Sequence, residues 1–414
     1  MDHTSTALGD TVRAHRRTAG LSQETLAEDA GLSVGVIRKI EQGGSARVET
    51  LHAIARALGI PTSALFAPGA PRPVVEDGAN RQLLTQLRQA LMPPVGITET
   101  LADPGRVDEL PELRRRIEDG LALYDSDRYE SVARMLPGLL TAAEAAAATA
   151  DGDERREAVR VRAHALLLAG KYLTQVRQYD VAYQALTEAI RVAREMEEKL
   201  TAVTGVIGLC WLLLRQDRFD DCARLAAATA DQIEPRMSSA PAGQIAAWGE
   251  LCLRIASAQV RNNRPDEAEE ARRMAATAAS AVGTEVSDYR THWATFGPVT
   301  TELKAVEDLA LAGDSRGVLR RADEGVLTRS AMSKVGRPSK INWNRHRLDV
   351  AQAHVRLGST QDAMNELARI RRMSGTWLQH QPMARYVMGD ILSTRKRTLT
   401  KEMRTLAAHL NVHA

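Results

Sequence analysis

Between Gly20 and Gly43 the chain reads GLSQETLAEDAGLSVGVIRKIEQG, and its second half sets polar donors at helical spacing. At 100° per residue Gly35, Arg38, Lys39 and Gln42 fall on one side, with Val34 at the N-terminal edge. Ile37 and Ile40 fall opposite, with Val36 nearby. A guanidinium, an ammonium and a carboxamide on one outward face can donate to anionic or polar edges of a partner. Upstream, Arg13 and Arg17 share a helix on which Val12 faces inward, and both can reach phosphate. Gly35 costs about 1 kcal/mol relative to alanine in a helix. Close approach of backbone to a partner accounts for it, and so does tolerance in a first turn.

The elements that hold these residues are legible from their caps. Ser22 can accept from an orphan N–H of a first turn, and Glu24 complements the helix dipole there. Leu26, Ala27 and Ala30 give that helix one apolar face. Gly31 stands where a left-handed residue ends it, and Leu32 packs back under the turn. Ser33 caps a second helix, Val34 to Gln42, which Gly43 ends. Two short helices across a tight turn make a helix-turn-helix. A helix over Thr11 to Thr18 precedes them. Another over Val48 to Leu58 follows, stopped at Gly59-Ile60-Pro61, and Thr62 to Phe66 is a last short turn.

Thr11 to Phe66 resembles the Cro/phage-repressor (Xre-type) DNA-binding domain, through RAHRRTAGLSQETLAEDAGLSVGVIRKIEQG and VETLHAIARALGIPTSALF. The resemblance covers about a sixth of the chain, with five helices recurring in order. It implies that Gln23 contacts a phosphate and that Val34, Gly35 and Lys39 occupy base-reading positions. It also implies a buried ion pair between Arg16 and Glu41. Val34 and Gly35 replace residues often polar in that family. This argues against a bidentate amide contact to adenine and for thymine-methyl contact plus a cation on guanine. Arg13, Arg17, Arg38, Gln42, Ser45 and Arg47 complete the expected DNA-contacting set. Residues 1–66 carry seven basic and seven acidic side chains, so such contact depends on local clustering rather than net charge.

At 414 residues the chain is long for one domain. Few aromatics and an Ala/Leu/Val-rich apolar fraction favour helices over sheet. Residues 67–80, APGAPRPVVEDGAN, read as a flexible linker. Arg81 to Met92 reads as a helix and Gly96 to Pro104 as an irregular connection. Beyond it a unit of long helix, polar elbow and second helix recurs. Taking Tyr129, Tyr179, Phe219, Pro265, Arg316 and Thr360 as equivalent, the spacings are 50, 40, 46, 51 and 44. Such a period means helix pairs stacked into a superhelix. An alanine follows most elbows (Ala133, Ala182, Ala223, Ala268, Ala363), where a small residue lets paired helices approach. Residues 81–414 loosely resemble tetratricopeptide-like arrays, with Met383 to Thr394 and Lys401 to Leu410 as capping helices. The combination resembles bacterial regulators whose repeats sense a signal, peptide pheromones included.

Cys210, Cys222 and Cys252 form neither a paired framework nor a metal pattern and read as buried apolar residues of a reducing compartment. His346 and His354 read as surface residues; His409 and His413 lack a third ligand. No phosphate-binding glycine loop or nucleophile elbow is present, so no enzyme activity, cofactor or metal is expected. No apolar run of about 18 residues and no signal segment appears, so a cytoplasmic protein away from membranes is expected. Arg395-Lys396-Arg397 reads as a solvated face. Asn342 and Arg345, close together on SKINWNRHRLDVAQAHVRLG, are the candidate effector contacts, since an asparagine amide can hold an extended peptide. Elbow turns for Asn262-Asn263 and solvated helix starts for Asn342 and Asn344 also fit.

The expectation is therefore an all-α transcription regulator: an N-terminal five-helix helix-turn-helix domain, a tether and a tetratricopeptide-like superhelix. It would bind a double-stranded DNA operator, an inverted repeat, as a homodimer, and sense a peptide or small molecule. The other reading is a repeat-based protein–protein adaptor with a structural or weakly DNA-binding head.

Overall fold

The computed structural model describes residues 3–44, 46–60, 62–65, 78–94, 108–286, 295–394 and 399–412. The head consists of α1 (His3–Thr18), α2 (Gln23–Asp29), α3 (Val34–Glu41), α4 (Val48–Ala57) and α5 (Thr62–Leu65). Ser22 caps α2 as its spacing implies, its hydroxyl accepting from the Thr25 N–H at 3.0 Å. Gly31 adopts φ +65°, and the Leu32 N–H closes on the Ala27 carbonyl at 2.8 Å. Ser33 takes the extended N-cap backbone of α3, but its hydroxyl makes no capping hydrogen bond. At Gly9 a Cβ would stand 2.4 Å from the Ile40 carbonyl, so only glycine lets α1 lie this close to α3. Val12, Leu26, Ile37, Ile40, Leu51, Ile54 and Leu65 form a core of the head's own.

After the head comes α6 (Gly78–Leu91), which begins inside the stretch expected to be linker. The Gly96 to Pro104 connection lies outside the described residues, which end at Pro94 and resume at Asp108. Helix pairs follow: α7 (Leu110–Asp125) with α8 (Tyr129–Thr149), α9 (Gly152–Gln175) with α10 (Tyr179–Glu195), and α11 (Lys199–Arg215) with α12 (Phe219–Ile233). Next are α13 (Ala242–Arg261) with α14 (Pro265–Val282), and α15 (Pro298–Leu311) with α16 (Ser315–Arg321). A 3₁₀ turn (Gly325–Leu327) and α17 (Arg329–Val335) lead to a sixth pair, α18 (Lys340–Arg356) with α19 (Thr360–Gln379). Finally α20 (Pro382–Thr394) and α21 (Lys401–His409) pack on α19.

The six elbows share one backbone device. Asp127, Arg177, Asp217, Asn263, Gly313 and Gly358 all have positive φ, each two residues before its second helix. The N–H of the following residue then bonds a carbonyl five residues back, at 2.8–3.0 Å in every elbow from Arg128–Leu123 to Ser359–His354. That closure is the Schellman geometry of a helix C-terminus. It places Ser315, not Arg316, in register with Tyr129 and Thr360, which corrects the fifth elbow by one residue. There Val318 is buried where the second, fourth and sixth pairs bury Ala182, Ala268 and Ala363. The array winds until its ends meet: Lys340 at the start of α18 is 2.9 Å from Asp127 in the first elbow.

The head is seated on the array. Its α4 packs on α13 and its α1 on α20. The Thr62 N–H donates to Asp217 Oδ2, and Arg56 donates to Asn262 Oδ1 at 3.2 Å. The His52 ring meets Phe219 edge-on at 5.0 Å and shares a 2.6 Å hydrogen bond with Thr62. Two elbows of the array are thus the seat of the head, and Asn262-Asn263 serve as turn and seat.

Burial and then the Arg261 charge push the His52 imidazole down to about 3. The seated head therefore favours neutral His52, and its seating is intact above the ordinary histidine value near 6.5. Lowering pH from about 6.5 toward 5 should therefore weaken the seating through this group. Burial pushes the Asp217 carboxyl the other way, upward, so Asp217 opposes the loss at the acid end. Hydrogen exchange in α4, corrected for intrinsic rates, should rise between pH 7 and 5; unchanged protection would remove His52 as the cause.

Candidate functional site

The outward face of α3 is open in the folded chain. Ile37 and Ile40 are buried, whereas Gly35, Arg38, Lys39 and Gln42 are exposed and Val34 and Val36 half-buried. A Cβ added at Gly35 would meet only the Ser33 hydroxyl, at 3.8 Å. Among the described residues nothing requires glycine there. Gly35→Ala should leave melting unchanged or raise stability by up to about 1 kcal/mol. If backbone approach to a partner explains this glycine, the same variant should bind DNA more weakly; unchanged binding would leave first-turn tolerance as the explanation.

Beneath that face one carboxylate gathers several donors. Arg16 grips Glu41 with two bonds, Nε to Oε1 at 2.6 Å and Nη2 to Oε2 at 2.9 Å, and its Nη1 donates to the Leu21 carbonyl at 2.9 Å. Glu41 is 3% exposed. Burial opposes its ionisation, yet the hydrogen bonds from Arg16 and Gln23 outweigh it and hold the carboxyl below its ordinary range. The bond to Glu41 raises Arg16 in turn.

The Gln23 amide donates to Glu41 Oε2 at 2.8 Å, and the Arg13 guanidinium donates to the Glu41 carbonyl while lying 3.6 Å from its carboxylate. These two side chains, expected on phosphates, each direct a donor at Glu41 here. Arg17 and Arg47 are exposed, and Arg38 lies 3.7 Å from Glu24. Ser45 lies outside the described residues, as does the Arg395-Lys396-Arg397 run.

Residues 12–65 match the family model described as helix-turn-helix. The chain carries a helix-turn-helix DNA-binding domain. No match was found among curated proteins or among solved structures. In the described residues no helix is long and apolar enough to cross a membrane, and no His/Cys/Asp/Glu group could hold a metal ion.

A second site lies inside the array. Asn342 and Arg345 line a cleft with Tyr124, Lys171, Trp211, Arg254 and Lys304. The first helix of every pair contributes: α7, α9, α11, α13, α15 and α18. The cleft encloses about 490 Å³ of non-atom space, part of it open to solvent. Only the α18 residues were singled out from sequence. The missed signal is a charge set in an otherwise apolar first helix, as with Lys171 in LLLAGKYL and Arg254 in ELCLRIAS.

Neighbouring α18 residues correct other expectations. His346 is buried, 2% exposed, with Nε2 on the Ala322 carbonyl at 2.9 Å, and is no surface residue. Asn344 is likewise buried rather than solvated. All three cysteines are free and buried, as expected of small apolar residues.

Proposed function

We propose that this protein is a sequence-specific transcription regulator whose head lays α3 in the DNA major groove. The observation that carries the reading is the open outward face of α3 on a domain of the helix-turn-helix family. Val34 and Gly35 would contact thymine methyls and sugar edges, and Lys39 a guanine, as the donor and methyl pattern of the major groove allows. Arg17, Arg38, Gln42, Ser45 and Arg47 would set register on phosphates. Arg13 and Gln23 would join them by releasing Glu41 to Arg16 alone.

One short helix reads few base pairs, so useful specificity calls for two half-sites on one DNA face, and hence a homodimer made through the array. The tetratricopeptide-like array would also sense an effector in its inner cleft. Because the head sits on the elbows of the third and fourth pairs, a change in the winding of the array would move the two reading helices relative to each other. The experiment is a footprint of the purified protein on its own upstream region, followed by titration on that site and on a scrambled copy. Steep loss on scrambling is expected. Equal binding to both would favour the adaptor reading, and a monomer on DNA by light scattering would refute the dimer.

A further inference from the structure

The inner cleft carries a charge imbalance that its own side chains do not correct. Arg345 presents its guanidinium 5.2 Å from the Trp211 ring, and its Nε and Nη2 atoms are buried without a hydrogen-bond partner. Arg215 lies 5.4 Å from the same ring, and its Nε is likewise buried without a partner. Among the described residues neither has a carboxylate within ion-pair distance, whereas the acids nearby are taken. Glu250 pairs with Arg254 at 3.0 Å. Glu307 pairs with Lys304 at 2.5 Å and with Arg261 at 2.7 Å. Burial and then Glu307 push the Asp349 carboxyl upward, which disfavours its charged form. Burial and then the Arg215 charge push Arg345 down to about 9. An arginine so placed is costly unless something anionic meets it.

We propose that the cleft is the seat of a compact anion, a small molecule bearing phosphate or carboxylate groups, anchored by Arg345 with Lys171 and Lys304 beside it. Only a small part of the cleft's space is enclosed, room for a few water-sized groups, which suits a compact anion and not an extended peptide. The wall explains the choice of charge: Arg345 lines the cleft with no carboxylate paired to it among the described residues, whereas Arg254 and Lys304, which also line it, have theirs in Glu250 and Glu307. Guanidinium favours planar, two-oxygen partners, and both phosphate and carboxylate offer them. Because all six first helices reach the cleft, an anion there would draw them together and tighten the winding of the array. The inference deepens the effector reading of the array and rests on it, but not on DNA binding.

The test uses the full chain without DNA, titrated by calorimetry and followed by melting, with inorganic phosphate, pyrophosphate and citrate at constant ionic strength against chloride. At least one multivalent anion should bind saturably and raise the melting temperature, and the phosphate and citrate arms tell which oxyanion is preferred. Arg345→Met should weaken that binding at least about tenfold while leaving the anion-free protein as stable or more so, since it removes a buried unpaired charge. Arg345→Lys, which keeps the charge and loses the fork, should bind at an intermediate strength.

A response no larger than that to chloride would overturn the proposal. So would full anion binding by Arg345→Met, or its failure to fold, because Arg345 would then be structural. Binding of an acidic hexapeptide with no response to the small anions would overturn it in favour of an extended ligand. Failure of these titrations leaves the operator footprint untouched, and failure of the footprint leaves the anion site standing.

Discussion

Arg16→Ala should destabilise the head by about 3–5 kcal/mol, because it strands Glu41 as a buried carboxylate. The geometry makes Arg16 the principal partner: it supplies two of the bonds to Glu41 and ties the Leu21 carbonyl as well. Gln23 and Arg13 remain on Glu41 after the change, which places the effect toward the lower end of that range. The head has its own core, so the loss should appear in hydrogen exchange of α1 to α3, with little change in the array's melting. Pairing Arg16→Met with Glu41→Leu should recover much of the loss, since neither charge is then left alone. Protection in α1 to α3 that survives Arg16→Ala would mean that Gln23 and Arg13 suffice, and the pair would lose its structural role.

The second large effect separates reading from positioning. Lys39 is exposed on the outward face of α3, and Arg17 is exposed on α1, which does not enter that face. Lys39→Ala should cost about 1–3 kcal/mol on the operator and relax preference at one base pair. Arg17→Ala should weaken operator and scrambled DNA alike and lower the salt slope by about one unit. The measurement is affinity on both DNAs at two salt concentrations, with melting as a control on folding. Lys39→Ala should shrink the ratio of specific to non-specific affinity, whereas Arg17→Ala should leave it nearly intact. Equal losses on both DNAs for both variants would mean that α3 reads no bases.

Local chemistry made much of this protein legible before its structure. The caps at Ser22 and Gly31, the turn at Gly43 and the apolar spacing through Ile37 and Ile40 act within a few residues, so the helix-turn-helix could be read directly. The elbows were legible for the same reason. Each is a closure over six residues, repeated between the two helices of every pair. Even there the sequence points to Arg316 where the structure has Ser315, because the fifth elbow lacks the aromatic or proline that marks the first four and backbone φ gives its register.

What sequence could not supply was the winding of the array. A period near 45 residues says that pairs stack, but the rotation from one pair to the next comes from side-chain packing spread over every interface. That rotation brings Lys340 to Asp127 and gathers Lys171, Trp211, Arg254, Lys304 and Arg345 around one cleft from helices far apart in the chain. It also carries Asp217 and Asn262 under the head, where Thr62 and Arg56 meet them. Arg13 and Gln23 turned inward for a related reason. A buried carboxylate draws in every donor within reach, and which donors those are depends on how α1 and α2 cross α3.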